Sequence, residues 1–482
     1  MKADYIEVKG INFLNILQCS VSKKINEHGY AKIIGIIEDD YEETCLELAI
    51  KQNYIEIRAK ELDGKSECFF TGYIDNLEID CSTVKTVTVE LLTGSKFMDL
   101  VERTRTFQNV GMTYKQIVQS NEKWNQDVSA ASIFLESGGT SIGDLIVQYK
   151  ETDWEFAKRM AALNNTFIRP EFTREGCKYF WGLNKEQNVK TKPDSFFRYK
   201  IKKRNTEYEK NKKTNLVKIQ SADSYSYYFS SRNIFEIGDC IHLNSQNLFV
   251  YKVNSEYEGQ ELVNTYEMRT ADGFKRARYF NRKIIGASLS GTVLKAERDQ
   301  IKMKLDVDKN YSDHGEKFFL YSTVYSSPDG TGWYCMPEAG DCIRLYFPTE
   351  KERDAYAISS VHLEVAGSGS TSRDDGYPSS RQEPDYKSFS NPAGKEIIFA
   401  PDSLYINNPA VGSILLDDKQ GIIIDSDKSI QFKAVNFVEI HSTTKEMVLN
   451  AKEDITLEQG ENVKFSLNDN VYLKGAKLKL QE

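Results

Sequence analysis

The stretch that decides the fold is SIQFKAVNFVEIHSTTKEMVLNAKEDITLEQGENVKFSLNDNVYLKGAKLKL, residues 429–480. Apolar residues come in pairs two apart, and almost everything between the pairs is polar or charged. Extended upstream, the series reads Ile414/Leu416, Ile422/Ile424, Ile430/Phe432, Val438/Ile440, Met447/Leu449, Ile455/Leu457, Val463/Phe465, Val471/Leu473 and Leu478/Leu480. The first members are 8, 8, 8, 9, 8, 8, 8 and 7 residues apart. Residues two apart on a strand face the same way. Each unit therefore reads as a short strand with two inward side chains, followed by a polar turn.

One copy of such a tail has little core. Two apolar side chains contribute about 1.5–3 kcal/mol apiece when fully buried. Ordering eight residues costs roughly 1–2 kcal/mol each for the backbone alone. Neighbouring units must stack for the tail to be stable. A one-chain β-helix uses longer coils with several faces per turn, whereas an eight-residue unit supplies one face. Three chains wound about a common axis supply three faces, with the apolar pairs meeting inside. The octad length thus predicts an intertwined homotrimer whose core holds Ile414, Ile422, Ile430, Val438, Ile455, Val463 and Val471. The competing reading is an open meander of hairpins packed on another domain.

The chain has 482 residues, a net charge of −8, 40% hydrophobic residues and 12% aromatic residues. This is a globular composition, and its richness in rings favours β structure. The acidic balance argues against nucleic acid as the main partner. No apolar segment marks a signal peptide or a membrane helix, so the expectation is synthesis in the cytosol without Sec export. Eight scattered cysteines form no CxxC or zinc-type cluster and read as buried reduced thiols, so no metal and no cofactor is expected.

Upstream of the tail, residues 30–40, 68–80, 85–94 and 247–259 are β-branched and aromatic runs closed by turn residues, and read as strands. Residues 141–164 interrupt them. Ser141 with Asp144, and Thr152 with Glu155, each fit a capping box, which predicts two consecutive helices. In residues 282–364, Ile301, Met303, Leu305 and Val307 alternate with charged residues as in a half-buried strand, and several short strands suit a small closed barrel such as an OB-fold. The Gly/Ser/Pro-rich residues 365–384 read as an exposed connector. The expected fold is mostly β. A barrel hub with inserted helices spans 1–281, an OB-fold 282–364, a linker with early strands 365–396, and a triple-stranded β-helix 397–482.

Three stretches resemble one family. QYKETDWEFAKRMAALNN, residues 148–165, is similar to the hub-helix signature of the valine-glycine-repeat (VgrG) spikes and the fused hub-and-spike proteins of phage tails and phage-derived bacteriocins; Thr152, Asp153, Phe156 and Arg159 stand at its marked positions. STVYSSPDGTGWYCMPEAGDCIRLYF, residues 322–347, looks like the family's barrel stretch, with Pro337, Glu338, Gly340 and Asp341 at its P-E-x-G-D turn. The octads match in period, although the Val-x-Gly repeat itself is mostly absent, with only Gly460 and Gly475 near later units. The resemblance implies a homotrimeric hub and spike of a contractile injection particle. Its partners would be an inner-tube or tube-initiator protein, baseplate or wedge proteins and a separate tip protein, with transient contact to a target cell envelope. It also implies a mechanical protein, not an enzyme. The alternatives are a type VI-like secretion spike carrying effectors and, in a different class, a cell-wall hydrolase on a β-helix scaffold.

Two further features bear on chemistry. GTSIG, residues 139–143, formally matches a nucleophile elbow at Ser141, but a helix cap explains the serine without a histidine partner. Residues 198–218 carry nine Lys or Arg. They read as a solvated hub loop or hairpin with its aliphatic and aromatic residues tucked in, or else as a contact to a neighbouring subunit.

Overall fold

The computed structural model describes residues 5–61, 63–124, 129–185, 189–190, 196–214, 219–243, 245–308, 316–329, 331–358, 384–453, 455–459 and 463–467. The chain divides into two compact units, Met1–Leu363 and Glu364–Glu482.

The first unit is built on one long antiparallel sheet. Its first half runs Tyr5–Lys9, Tyr54–Lys60, Ser66–Asp80, Thr86–Leu92, Tyr30–Ile36 and Asn15–Lys24; its second half continues with Gln246–Glu258, Glu261–Arg269, Tyr225–Ser231 and Phe197–Lys203. Alternation sets the burial: Tyr30–Ile36, Tyr54–Lys60 and Thr86–Leu92 each bury every second residue, as period two requires for strands with one dry face. Each half wraps its own core. Ile33, Ile57, Phe70 and Val89 lie in the first, and Tyr266, Phe249, Val250 and Phe229 in the second. The four strands read from residues 30–40, 68–80, 85–94 and 247–259 are all present.

A third core forms around the helix Asp153–Leu163, and a fourth inside a small barrel. The barrel's strands run in the order Phe318–Leu320, Gln300–Leu305, Ser288–Glu297, Cys342–Tyr346 and Tyr356–Ile358. A parallel bridge from Tyr321 to Ala357 joins the two ends of that order. Ile301, Met303 and Leu305 are fully buried, as their alternation requires.

The pair of consecutive helices is corrected to one. Thr152 caps Asp153–Leu163 with a complete capping box, but Ser141 caps nothing; it bridges Thr113, and the chain continues into the strand Ile146–Thr152. The reason lies in burial on both faces. Leu145, Val147 and Tyr149 pack into the barrel core, while Ile146 packs into the helix core. A strand divides alternate residues between two cores; a helix at this position would not.

In the second unit, Lys387–Ser390, Glu396–Phe399, Ser403–Asn408, Gly412–Asp417 and Gly421–Ser426 form an antiparallel meander in chain order. Its register lines up two apolar rows, Ile397–Ile406–Ile414–Ile424 and Phe399–Leu404–Leu416–Ile422. The rows are open: Ile422 is 71% exposed and Ile424 47%. The expectation of one strand per octad holds for Ile414, Ile422, Ile455 and Val463, the last two in the hairpin Ile455–Gln459/Val463–Leu467. It fails for Ile430, Val438 and Met447, whose segment carries no strand and is exposed throughout. An octad without a neighbour to pair with has neither ladder nor core to hold it extended. Val471 and Leu478 lie outside the described residues, as do most of the connector, Gly460 and Gly475.

Candidate functional site: a buried charge lock between hub helix and barrel

The strands Glu102–Phe107 and Ile146–Thr152 pair antiparallel, with Arg105 opposite Gln148 and Phe107 opposite Ile146. Their ends deliver charged side chains to the start of the helix Asp153–Leu163. Thr152 Oγ1 accepts from the Glu155 backbone N–H at 3.1 Å, and the Glu155 carboxylate accepts from the Thr152 N–H at 3.2 Å. The same Thr152 hydroxyl donates to Asp99 at 2.5 Å. Burial works to raise the Asp99 pKa, but the hydrogen bonds from His28 and Thr152 outweigh it and hold the carboxyl well below its usual range. His28 itself is held below the ordinary histidine value by burial, its ring 4.7 Å from that of Trp154.

Asp153 is 4% exposed and faces Arg105 at 2.8 Å, with Gln148 donating to it at 3.0 Å. Six residues along the helix, Arg159 is completely buried. Its guanidinium donates to Glu151 at 2.9 and 2.7 Å, to the Val147 carbonyl at 2.7 Å, and to Glu352 at 2.8 Å. Glu352 belongs to the barrel, in the turn between its last two strands. Burial lifts the Glu352 pKa, and Arg159 pulls against that rise. Two carboxylates facing one guanidinium keep Arg159 charged despite its burial. Arg159 is also 5.3 Å from the Phe156 ring, which itself stacks on Phe107. A second tie runs beside it: Asp308 of the barrel accepts from the Thr106 backbone N–H at 2.9 Å and from its hydroxyl, and Gln108 donates to the Met303 carbonyl at 3.2 Å.

The structure therefore gathers Thr152, Asp153, Phe156 and Arg159 into one site. It places Pro337, Gly340 and Asp341 elsewhere, at the turn entering the strand Cys342–Tyr346. There Asp341 accepts from the Glu338 N–H at 2.8 Å, and the Gly340 N–H bonds the Val293 carbonyl at 2.9 Å. Gly340 has φ +100°, a left-handed conformation in which a side chain is strained. The octad residues Ile414, Ile422, Ile430, Val438 and Ile455 belong to the other unit. Arg105, Asp99, Asp308 and Glu352 were not singled out from sequence; nothing in spacing links residues 193 apart such as Arg159 and Glu352.

What the site does chemically is hold. Glu151 and Asp153 are committed to arginines, and Ser141 is followed by a strand where an elbow needs a helix. His242 bonds Asn247 at 2.9 Å and His441 approaches Glu439 at 3.5 Å. None of the eight cysteines is in a disulfide; four are buried, but Cys81 and Cys335 are exposed, which corrects the reading of uniformly buried thiols. Among the described residues no cluster of His, Cys, Asp and Glu gathers as a metal site, and no helix is long and apolar enough to cross a membrane.

The fold thus consists of a long two-half sheet, a capped helix locked to a small barrel, and a second unit built on a meander. No family model and no curated protein matches the sequence. Solved structures do match. The chain is similar to the PdpA–VgrG complex in its lidless form, at 10% identity over 88% of this chain and 98% of that one, with a TM-score of 0.54. The half-lidded form gives 10% identity over 88% of each chain and a TM-score of 0.54. The E. coli c3393 protein gives 11% identity over 73% of this chain and 98% of that one, with a TM-score of 0.51; it is described as a type VI secretion component with structural similarity to the T4 tail proteins gp27 and gp5. At these identities the shared property is the fold. It is a VgrG-like fold, mostly β.

Proposed function

We propose that this chain is the homotrimeric central hub and spike of a contractile injection particle. On this reading, residues 1–281 form the hub on which an inner tube or tube initiator sits, and baseplate or wedge proteins surround it. Residues 282–364 form an OB-fold, 365–396 a linker with early strands, and 397–482 a triple-stranded β-helix that pierces an envelope. A separate tip protein caps the far end. The role is mechanical, not catalytic, and it needs no cofactor and no nucleic acid.

The observation that carries this reading is the pair of open apolar rows in the second unit. Ile422 is 71% exposed, Phe399 54% and Ile424 47%, and the period of the later members repeats through the tail. A chain on its own leaves this surface wet, a contiguous liability of the kind that marks an association surface. Two further copies bury it by supplying the missing faces. An interlocked shaft of this kind also resists axial load, because its chains separate only by unwinding.

The test is mass in solution by light scattering. The full chain should be a trimer of about 166 kDa, three times 55.2 kDa. Removal of residues 385–482 should weaken the association. A well-folded monomer at all concentrations overturns the reading. The phage, bacteriocin and type VI-like settings share this architecture; an effector bound to the tail would favour the last.

A further inference from the structure

The outermost strand of the second half-sheet, Phe197–Lys203, has a neighbour on one side only among the described residues, the strand Tyr225–Ser231. Every residue of it is exposed. Tyr199 is 41% exposed and Ile201 49%, on the face opposite Lys200 and Lys202. The sequence reading that tucks these apolar residues inward is therefore corrected. The helix Asn205–Thr214 follows directly and adds exposed Lys212 and Lys213. Among the described residues no carboxylate pairs with Lys200, Lys202 or Lys203. An open strand edge beside apolar and cationic side chains invites a partner. In a chain of net charge −8, so dense a group of cations stands out from the rest of the surface.

The complementary surface lies on the same molecule. The turn after Tyr30–Ile36 and the helix Glu42–Ile50 present Glu38, Asp39, Asp40 and Glu43, all exposed; Lys85 meets the Asp39 backbone carbonyl at 2.7 Å and pairs with Glu42 at 2.9 Å, while Glu38, Asp40 and Glu43 have no cation partner among the described residues. Leu46 and Ile50, 46% and 82% exposed, stand beside them. This helix buries Cys45 in the core of the first half-sheet, whereas the basic strand ends the second half-sheet. One surface is basic with exposed apolar residues; the other is acidic with exposed apolar residues.

We propose that the strand Phe197–Lys203 and its following helix dock on the Glu38–Ile50 face of a second copy of this chain. The inference rests on the trimer reading above and adds to it the surfaces through which hubs meet. The contact joins two different faces, so it is heterologous and runs head to tail; repeated, it closes a ring when the rotation allows. A second copy fits better than a nucleic acid for two reasons. The acidic whole repels a phosphate backbone, and the matching acidic face is present at the same concentration as the basic one. Opposite charges at the contact act mainly through encounter and register, so the association should weaken with salt.

The experiment uses the full chain in three variants: Lys200→Glu with Lys202→Glu and Lys203→Glu; Asp39→Lys with Asp40→Lys and Glu43→Lys; and all six together. Association is read as the concentration dependence of mass at low and high salt, with circular dichroism to confirm folding. The expected result is weakening of the trimer by about ten-fold or more in each triple variant, and recovery in the six-fold variant, where the charges are exchanged across every contact. Wild-type association should also fall with salt, and that fall should shrink in either triple variant. Overturning results are triple variants that associate like the wild type, or a six-fold variant as weak as the two triples combined. A wild-type chain that is monomeric throughout is a different outcome, because it removes the trimer reading and this contact with it.

Discussion

The hub helix and the octad tail solve the same problem in opposite ways. Around Asp153–Leu163 one chain completes everything: Arg159 is fully buried, yet each of its bonding groups meets Glu151, Glu352 or the Val147 carbonyl. In the tail one chain completes almost nothing. Its strands pair in register, but the apolar rows they align are left in water. The first region is finished within one chain; on the proposed trimer reading, the second is finished only between chains. Intramolecular stability and assembly are therefore carried by different residues, and substitutions should separate them.

The largest effect should come from the tail. On the proposed trimer reading, Ile430→Asp places three charges at one level of a dry shaft, and an unpaired buried charge is among the costliest changes known. Association read by light scattering should weaken as it does on removal of residues 385–482, while thermal unfolding of the Met1–Leu363 unit stays as in the wild type. If that unit's melting falls as well, assembly and hub stability are not separable as argued.

Arg159→Ala is the reverse experiment. It leaves Glu151 and Glu352 buried without their counter-charge, and breaking a buried pair in this way costs about 3–5 kcal/mol. Denaturant unfolding of the hub should shift accordingly. Arg159→Lys should recover only part, because an ammonium does not reproduce the forked bonds to Glu151. A shift of less than about 1 kcal/mol, the scale of a surface pair, would place the lock among decorative contacts.

The smallest effect concerns acid. The Asp99 carboxyl is held low in the folded chain by His28 and Thr152, against the opposing effect of burial. A depressed carboxyl contributes stability that is present above its unfolded pKa of about 3.9 and is lost as pH falls through the folded value. Thermal midpoints measured from neutral pH downward should fall below about pH 4 less steeply in Asp99→Asn than in the wild type. Identical acid limbs would remove Asp99 from the account.

Much of the fold was legible because it rests on local periodicity. Alternation located the strands around Ile33, Phe70 and Val89, and a hydroxyl three residues before a glutamate located the helix start at Thr152. The same capping rule failed at Ser141, because the decisive fact there is not local: residues 145–149 are contested by two cores, and only a strand serves both. The site was half legible. Asp153 and Arg159 stood out through a resemblance, but their partners Arg105 and Glu352 are brought in by topology, at separations of 48 and 193 residues. The octads announced their repeat clearly, yet a repeat does not say whether one chain or three will satisfy it.

The wall shared by Leu145, Ile146 and Val147 has a consequence for anyone cutting this chain into parts. A barrel excised at residue 282 leaves behind a strand that supplies two of its own core side chains, and a hub kept without it carries a raw greasy seam. Hub and barrel are one casting with two lobes. A chimera that keeps the first unit and exchanges the second should make its join after Ile358, where the last barrel strand among the described residues ends.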